Sequence, residues 1–253
     1  MPSDQPSADQ SPAELPSGAE QLRDEPFLTL KSGATEVYLV RHGDALPAAE
    51  DIIAGDYDAQ SLSELGRQQA RAVGERLRDV HLAAVYSSPI GRARETAEEI
   101  AAAQELAVGI EPDLREVGLG VIGPELSADL PPEETLKRIK DALHEIAVVA
   151  ITQGTWESLP GAEPSAALRA RLVAVVRRLA GAHAGERIAL VSHGGAINAY
   201  LAAVLGIRRD YFFPTANASI SALRVKGARA MLLSLNDIAH LRAPSLMGFD
   251  PNA

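Results

Sequence analysis

At 253 residues, with 46% hydrophobic and 23% charged side chains, the chain has the composition of a folded protein with a sizeable core, and disorder throughout is excluded. No cysteine is present, which excludes disulfides, thiolate metal ligands and every cysteine nucleophile. The net charge of -10 excludes a general affinity for nucleic acid or an anionic membrane surface, because polyanions attract basic faces.

Residues 1–33 read as a disordered acidic tail. Pro2, Pro6, Pro12, Pro16 and Pro26 alternate with Ser, Gln and acids, leaving too few apolar side chains to offset the entropy of ordering. Within residues 1–26, Asp4, Asp9, Glu14, Glu20, Asp24 and Glu25 face the single base Arg23, so half of the net charge lies there. Neither a basic segment leading into an apolar one nor a run of about 18 apolar residues occurs, so a soluble, cytoplasmic protein without membrane contact is expected. A single folded domain over 34–245 and a C-terminal tail over 246–253 complete the predicted organisation.

The run Glu36-Val37-Tyr38-Leu39-Val40 predicts a strand buried on both faces, ending at Arg41-His42-Gly43. Ser61-Leu62-Ser63-Glu64 offers a capping box for a long helix with Leu62, Leu65, Val73 and Leu77 on one face. Val85-Tyr86 predicts a second strand, Ser87-Ser88-Pro89 a turn, and Arg92 to about Ala103 a helix with Ala93, Ala97 and Ile100 inward. Pro131-Pro132-Glu133-Glu134 starts a further helix striped by Leu136, Ile139, Leu143 and Ile146, and Leu168, Leu172, Val175 and Leu179 mark another. The strand Arg187-Ile188-Ala189-Leu190-Val191-Ser192 runs into His193-Gly194-Gly195 and a helix ending near Gly206. Two last strands, about 219–225 and 230–235, flank Gly227 and predict a hairpin at the sheet edge. Strands alternating with amphipathic helices mean an α/β fold, a three-layer α/β/α sandwich around a mostly parallel sheet.

In such sheets ligands bind beyond the carboxyl ends of the strands, and both His-Gly pairs, His42-Gly43 and His193-Gly194, are placed there. The other histidines, His81, His144, His183 and His240, lack that context and read as surface or helix-end residues. Arg41, beside His42, and Arg92, at the start of its helix, are candidates for an oxyanion clamp, since a guanidinium matches phosphate oxygens bidentately and stays charged. No H-x-x-x-H pair or Asp/Glu cluster lies nearby to complete a metal site, and neither metal nor cofactor is expected.

Three ordered segments resemble the histidine phosphatase superfamily, the phosphoglycerate mutase-like family, in its first branch: Leu39-Val40-Arg41-His42-Gly43, Ser87-Ser88-Pro89-Ile90-Gly91-Arg92-Ala93-Arg94-Glu95-Thr96-Ala97, and Val191-Ser192-His193-Gly194-Gly195. The resemblance spans about 36–235. It implies that His42 is the nucleophile that becomes a phosphohistidine, with Arg41, Arg92, His193 and Gly194 holding the phosphoryl oxygens. It further implies an acid shortly after the third strand in a Leu-x-Glu context, which Asp113-Leu114-Arg115-Glu116 supplies as Glu116. The superfamily's other branch has an Asp directly after the second histidine, where this chain has Gly194. Departures from the mutase pattern are Ala45 in place of a hydroxyl residue, Ala48 in place of Asn, and Gly120-Val121-Ile122-Gly123 in place of a Gly-x-Trp-Glu-Gly stretch. The expected function is therefore hydrolysis of a small-molecule phosphomonoester. Phosphoglycerate mutase-type transfer and a non-catalytic phosphate- or protein-binding module are the alternatives. A homodimer through the sheet edge is an assembly that the family uses.

Overall fold

The structure, a computed structural model, describes residues 28–45, 60–118, 131–157, 159 and 161–241. Most of the expected tail, the stretch containing Ala48, the Gly120–Gly123 stretch and everything after 241 lie outside the described residues. The last part of the expected tail is not loose. Leu28 is buried, and Leu30–Ser32 form a 3-10 turn capped by the Thr29 hydroxyl, so ordered packing begins before residue 34.

Strand β1 (Thr35–Arg41) illustrates why the sheet forms where it does. Val37 and Leu39 enter one core and Val40 the other, which is the period of two expected of a strand covered on both faces. Strand β4 (Arg187–Ser192) repeats the pattern, sending Ile188 and Leu190 to the first core and Ala189 and Val191 to the second. With β2 (Ala84–Ser87) and β3 (Val108–Ile110) these strands are parallel, and the sheet order is β3-β2-β4-β1-β5-β6. The predicted hairpin is β5 (Ile220–Lys226) and β6 (Arg229–Asp237), antiparallel and turned at Gly227, whose φ of 60° suits a residue without a Cβ. Strand β3 escaped the sequence pattern: three residues at an edge, centred on a glycine, give no periodicity to read.

Helices α1 (Glu64–Leu77) and α2 (Gly91–Ala102) cover one face, burying Val73, Leu77, Ala93, Ala97 and Ile100 as their periods require. Helices α3 (Pro132–Gln153), α4 (Ser165–Ala182) and α5 (Gly194–Leu205) cover the other through Ile146, Leu168, Leu172, Val175 and Ile197. Of the predicted α3 stripe, Leu136, Ile139 and Leu143 have side chains outside the description, while Ile146 is buried. The cap of α1 differs from the expected box. Ser63, not Ser61, is the N-cap: its hydroxyl accepts from Gly66 N at 3.0 Å and donates to Asp44 Oδ2 at 2.6 Å, fastening α1 to the segment after His42. None of the described helices is long and apolar enough to cross a membrane.

The connection from β1 leads to α1 on one face and that from β4 to α5 on the other. Neighbouring parallel strands whose connections diverge leave a crevice beyond their carboxyl ends, and β1 and β4 pair up to Arg41 and Ser192, the residues just before the two histidines.

Candidate active site

His42 and His193 follow the ends of β1 and β4 directly. The His42 amide donates to Ser192 O at 3.0 Å, and the two imidazoles lie with centroids 5.1 Å apart, tilted by 58°. Nδ1 of His42 is 2.7 Å from Gly43 O, a partner that can only accept, so Nδ1 carries the hydrogen. Nε2 is then a lone pair, and it accepts from Arg92 Nε at 3.1 Å. Burial, then the positive charges of Arg92 and Arg41, hold the His42 pKa well below its ordinary value and keep the ring neutral.

His193 is fully buried and likewise held neutral, by burial first and then by His42, Arg92 and Arg41. Its Nε2 is 2.8 Å from Ser88 Oγ, which itself accepts from Ile90 N at 3.3 Å. With the Ser88 hydroxyl donating to Nε2, the ring hydrogen lies on Nδ1, a buried atom with no protein partner among the described residues. Arg41 is alike in this respect. Its Nη1 donates to Thr215 O, but its buried Nε has no acceptor. Burial lowers the pKa of this guanidinium, with the carboxylate of Glu116 opposing the shift, and it stays charged in any case. Two buried donors of this kind, beside a nucleophilic nitrogen, form a receptor for an oxyanion.

The remaining parts are set by neighbours. Arg92 Nη1 donates to Gln60 Oε1 at 3.1 Å, and Thr96, one turn along α2, donates to Arg92 O at 2.8 Å and accepts from Gly43 N at 3.1 Å. Glycine at 43 is required by packing of backbone on backbone, since a Cβ there would lie 2.5 Å from Gly66 O of α1. The group that approaches Gly43 is the backbone of helix α1.

Glu116 sits at the start of α5. Its Oε1 accepts from Val117 N at 2.9 Å and Ala196 N at 2.8 Å, and its Oε2 from Gly195 N at 3.1 Å. Helix N-termini attract such carboxylates. Oε1 has both lone pairs engaged while Oε2 keeps one for a proton. The seat depends on Gly195, where a Cβ would come 2.7 Å from Oε1 and 3.1 Å from both Trp156 and Val117. Gly194, named from sequence as a phosphate contact, lines the cleft, and a Cβ there would lie 3.5 Å from Arg41 Nε.

The segment that carries Glu116 is clamped from α4. Arg171 Nη1 donates to Asp113 O at 2.8 Å and Arg115 O at 2.9 Å, and Nη2 to Glu116 O at 3.0 Å. Its Nε and Nη2 also bind Glu163 Oε1 at 2.7 Å and Oε2 at 2.8 Å, and Glu163 accepts from Gly118 N at 3.3 Å. The cleft between Arg41 and Glu116 holds about 230 Å³ and is walled by Val117, Ile146, Ala150, Trp156 and Tyr211. Among the described residues no group of three or more His, Asp or Glu side chains is placed to hold a metal ion.

The structure thus brings together all six residues singled out from sequence: Arg41, His42, Arg92, Glu116, His193 and Gly194. It adds Ser88, Gln60, Gly195 and Arg171. Ser88 and Gly195 were visible inside quoted motifs, whereas Gln60 and Arg171 had no signal, because what they touch is remote in the chain. His183 does lie at a helix end, as C-cap of α4, where it bonds Tyr86 and Glu186.

The family model described as histidine phosphatase superfamily (branch 1) matches residues 37–238. The chain is 32% identical over 218 residues to a probable phosphoglycerate mutase GpmB of Yersinia pestis, covering 83% of this chain and 97% of that protein. Among solved structures it is similar to Bacillus stearothermophilus YhfR, with 27% identity, a TM-score of 0.65 and coverage of 82% and 99% of the two chains. A mycobacterial glucosyl-3-phosphoglycerate phosphatase matches at 26% identity and a TM-score of 0.61, covering 79% of this chain and 98% of that one.

Proposed function

We propose, from the premise that this chain belongs to the histidine phosphatase superfamily, branch 1, that it hydrolyses a phosphomonoester through a phosphorylated His42. One observation carries the reading: His42 is fixed as the tautomer with its lone pair on Nε2, and that lone pair faces Arg92, half of the expected oxyanion clamp.

The phosphoryl group enters between Nε2 and Arg92, exchanging their hydrogen bond for bonds to its own oxygens. Nε2 attacks phosphorus and the P–O bond to the organic group breaks. Arg41, Arg92 and the Nδ1–H of His193 take up charge on the equatorial oxygens, a preorganised stabilisation of the kind that dominates phosphoryl transfer. A proton on Glu116 Oε2 passes to the leaving oxygen, which an alkoxide requires near neutral pH. In the second step Glu116 removes a proton from water, the water oxygen attacks phosphorus, and the P–N bond breaks. Inorganic phosphate leaves and Glu116 is again protonated.

A mutase would return the phosphoryl group to a second hydroxyl rather than to water, and the name of the Yersinia relative keeps that reading in view. The apolar walls of the cleft favour hydrolysis, offering few partners to the carboxylate of a phosphoglycerate. The test is release of inorganic phosphate from an aryl phosphate in EDTA by wild type and His42→Ala, with acid-labile labelling of the enzyme. Wild-type release that the variant lacks, at least about 10³-fold down, supports the reading. Folded wild type that releases no phosphate but exchanges it between positions of phosphoglycerate would establish the mutase instead.

A further inference from the structure

The cleft next to Arg41 and Glu116 adjoins, at Tyr211, a second cavity of about 310 Å³ lined by Ile151, Arg209, Tyr211, Phe212, Phe213 and Pro214, and the pair makes a trough. Aromatic side chains are scarce in this protein, one Trp, five Tyr and four Phe in 253 residues, yet Trp156, Tyr211, Phe212 and Phe213 all stand along this trough. We propose that the trough binds the organic half of the substrate and that this half is an extended apolar group, alkyl or aryl. The inference rests on the phosphatase reading and gives it a substrate class.

Three observations support that class over a carboxylated or polyhydroxylated one. First, the described lining residues are mostly apolar, and their charged groups are few. Arg41 and Glu116 belong to the reacting end, and Arg209 Nη2 donates to Ile151 O at the end of α3. A carboxylate or a sugar moved in among Ile146, Trp156, Tyr211 and Phe213 would meet the unpartnered Trp156 Nε1–H and the Tyr211 hydroxyl, too few polar partners to replace the several waters it loses. Second, the walls are rigid. Trp156 and Tyr211 pack edge to face at 5.9 Å and 80°, and the fully buried Asn198 ties the segment after Tyr211 to α5: its Oδ1 accepts from Phe212 N and Phe213 N, and its Nδ2 donates to Phe213 O and Thr215 Oγ1. Third, Ile151 at the outer end is 55% exposed, apolar surface that an occupant of the trough would cover.

The experiment compares kcat/KM for ethyl, butyl and hexyl phosphate, whose leaving oxygens are alike, with that for 3-phosphoglycerate. Burial of each added methylene is expected to raise kcat/KM by about fourfold where it is complete, and hexyl phosphate is expected to exceed 3-phosphoglycerate. Trp156→Ala and Ile151→Glu should each lower the hexyl-to-ethyl ratio by about tenfold or more, a ratio that loss of folded protein would leave alone. Titration of the same esters into His42→Ala reads the trough without turnover, with Kd tightening along the series. A flat series, or a preference for 3-phosphoglycerate, overturns the apolar class. Absence of hydrolysis with a Kd that still tightens with length would overturn the phosphatase reading while upholding the trough.

Discussion

The lone pair on His42 Nε2 exists at the pH of use because the ring is buried and flanked by two guanidinium groups, both of which disfavour a proton there. As pH falls through the lowered pKa the ring protonates and the nucleophile is lost, so the acid limb of kcat/KM is expected well below pH 6.5. Arg92→Met removes the larger of the two charge effects. It should move that limb toward higher pH, and it should cost on the order of 10²- to 10³-fold in rate through the lost clamp. Profiles of both proteins on one aryl phosphate share the ester's own ionisation, so the difference between them isolates His42. A limb that stays in place in the variant would contradict the electrostatic account. At this scale the site was readable where chemistry and position coincide: an Arg-His-Gly and a Ser-His-Gly at strand ends leave little else for those side chains to do. Ser88 and Gln60 were not readable in these roles, because a hydroxyl or an amide acquires its role only from the nitrogen it faces.

At the level of elements, strands and helices buried on a regular period announced themselves, while boundaries decided by single contacts did not. The sequence pattern places the start of α1 at Ser61, but Asp44 draws the hydroxyl of Ser63 into the cap. The same division separates the catalytic carboxylate from its support. A Leu-x-Glu motif points to Glu116, but nothing local points to Arg171 on α4, whose five acceptor atoms lie in two separate stretches, 113–116 and Glu163. Since Arg171 orders the backbone on both sides of Glu116, Arg171→Met should displace the acid without touching the nucleophile. The expected signature depends on the leaving group. Hydrolysis of an alkyl phosphate should fall about 10- to 100-fold, whereas an ester of an acidic phenol, which needs no proton, should lose about threefold or less. Equal losses on both esters would make Arg171 a stabiliser of the fold and not a positioning residue. Gly195→Ala provides a second approach to the same seat, because the added Cβ would contact Oε1 of Glu116 directly.

For the whole molecule, the two histidines at the strand ends make the fold pH-dependent as well as the chemistry. Both have pKa values held well below 6.5 in the folded state by burial and by positive neighbours, whereas the unfolded chain binds protons with the ordinary value. Above about pH 6.5 neither state is protonated at these positions and stability is unaffected. Below it the unfolded state takes up protons that the folded state refuses, so stability falls with pH down to the lowered folded values. The slope approaches about 1.4 kcal/mol per pH unit for each histidine. Urea midpoints measured between pH 7.5 and 5 should therefore decline below pH 6.5, and His42→Asn, which removes one of the two refused protons, should decline less steeply. Occupation of the oxyanion receptor adds a counter-term. A bound phosphate or vanadate stabilises the folded state by an amount that grows with the logarithm of its concentration, and its negative charge offsets the positive neighbours that exclude protons from His42 and His193. Saturating vanadate should thus raise the midpoint at every pH and also flatten its decline toward pH 5. A decline of unchanged steepness in vanadate would place the anion away from the two imidazoles and break the link between the stability of the fold and the site at the ends of β1 and β4.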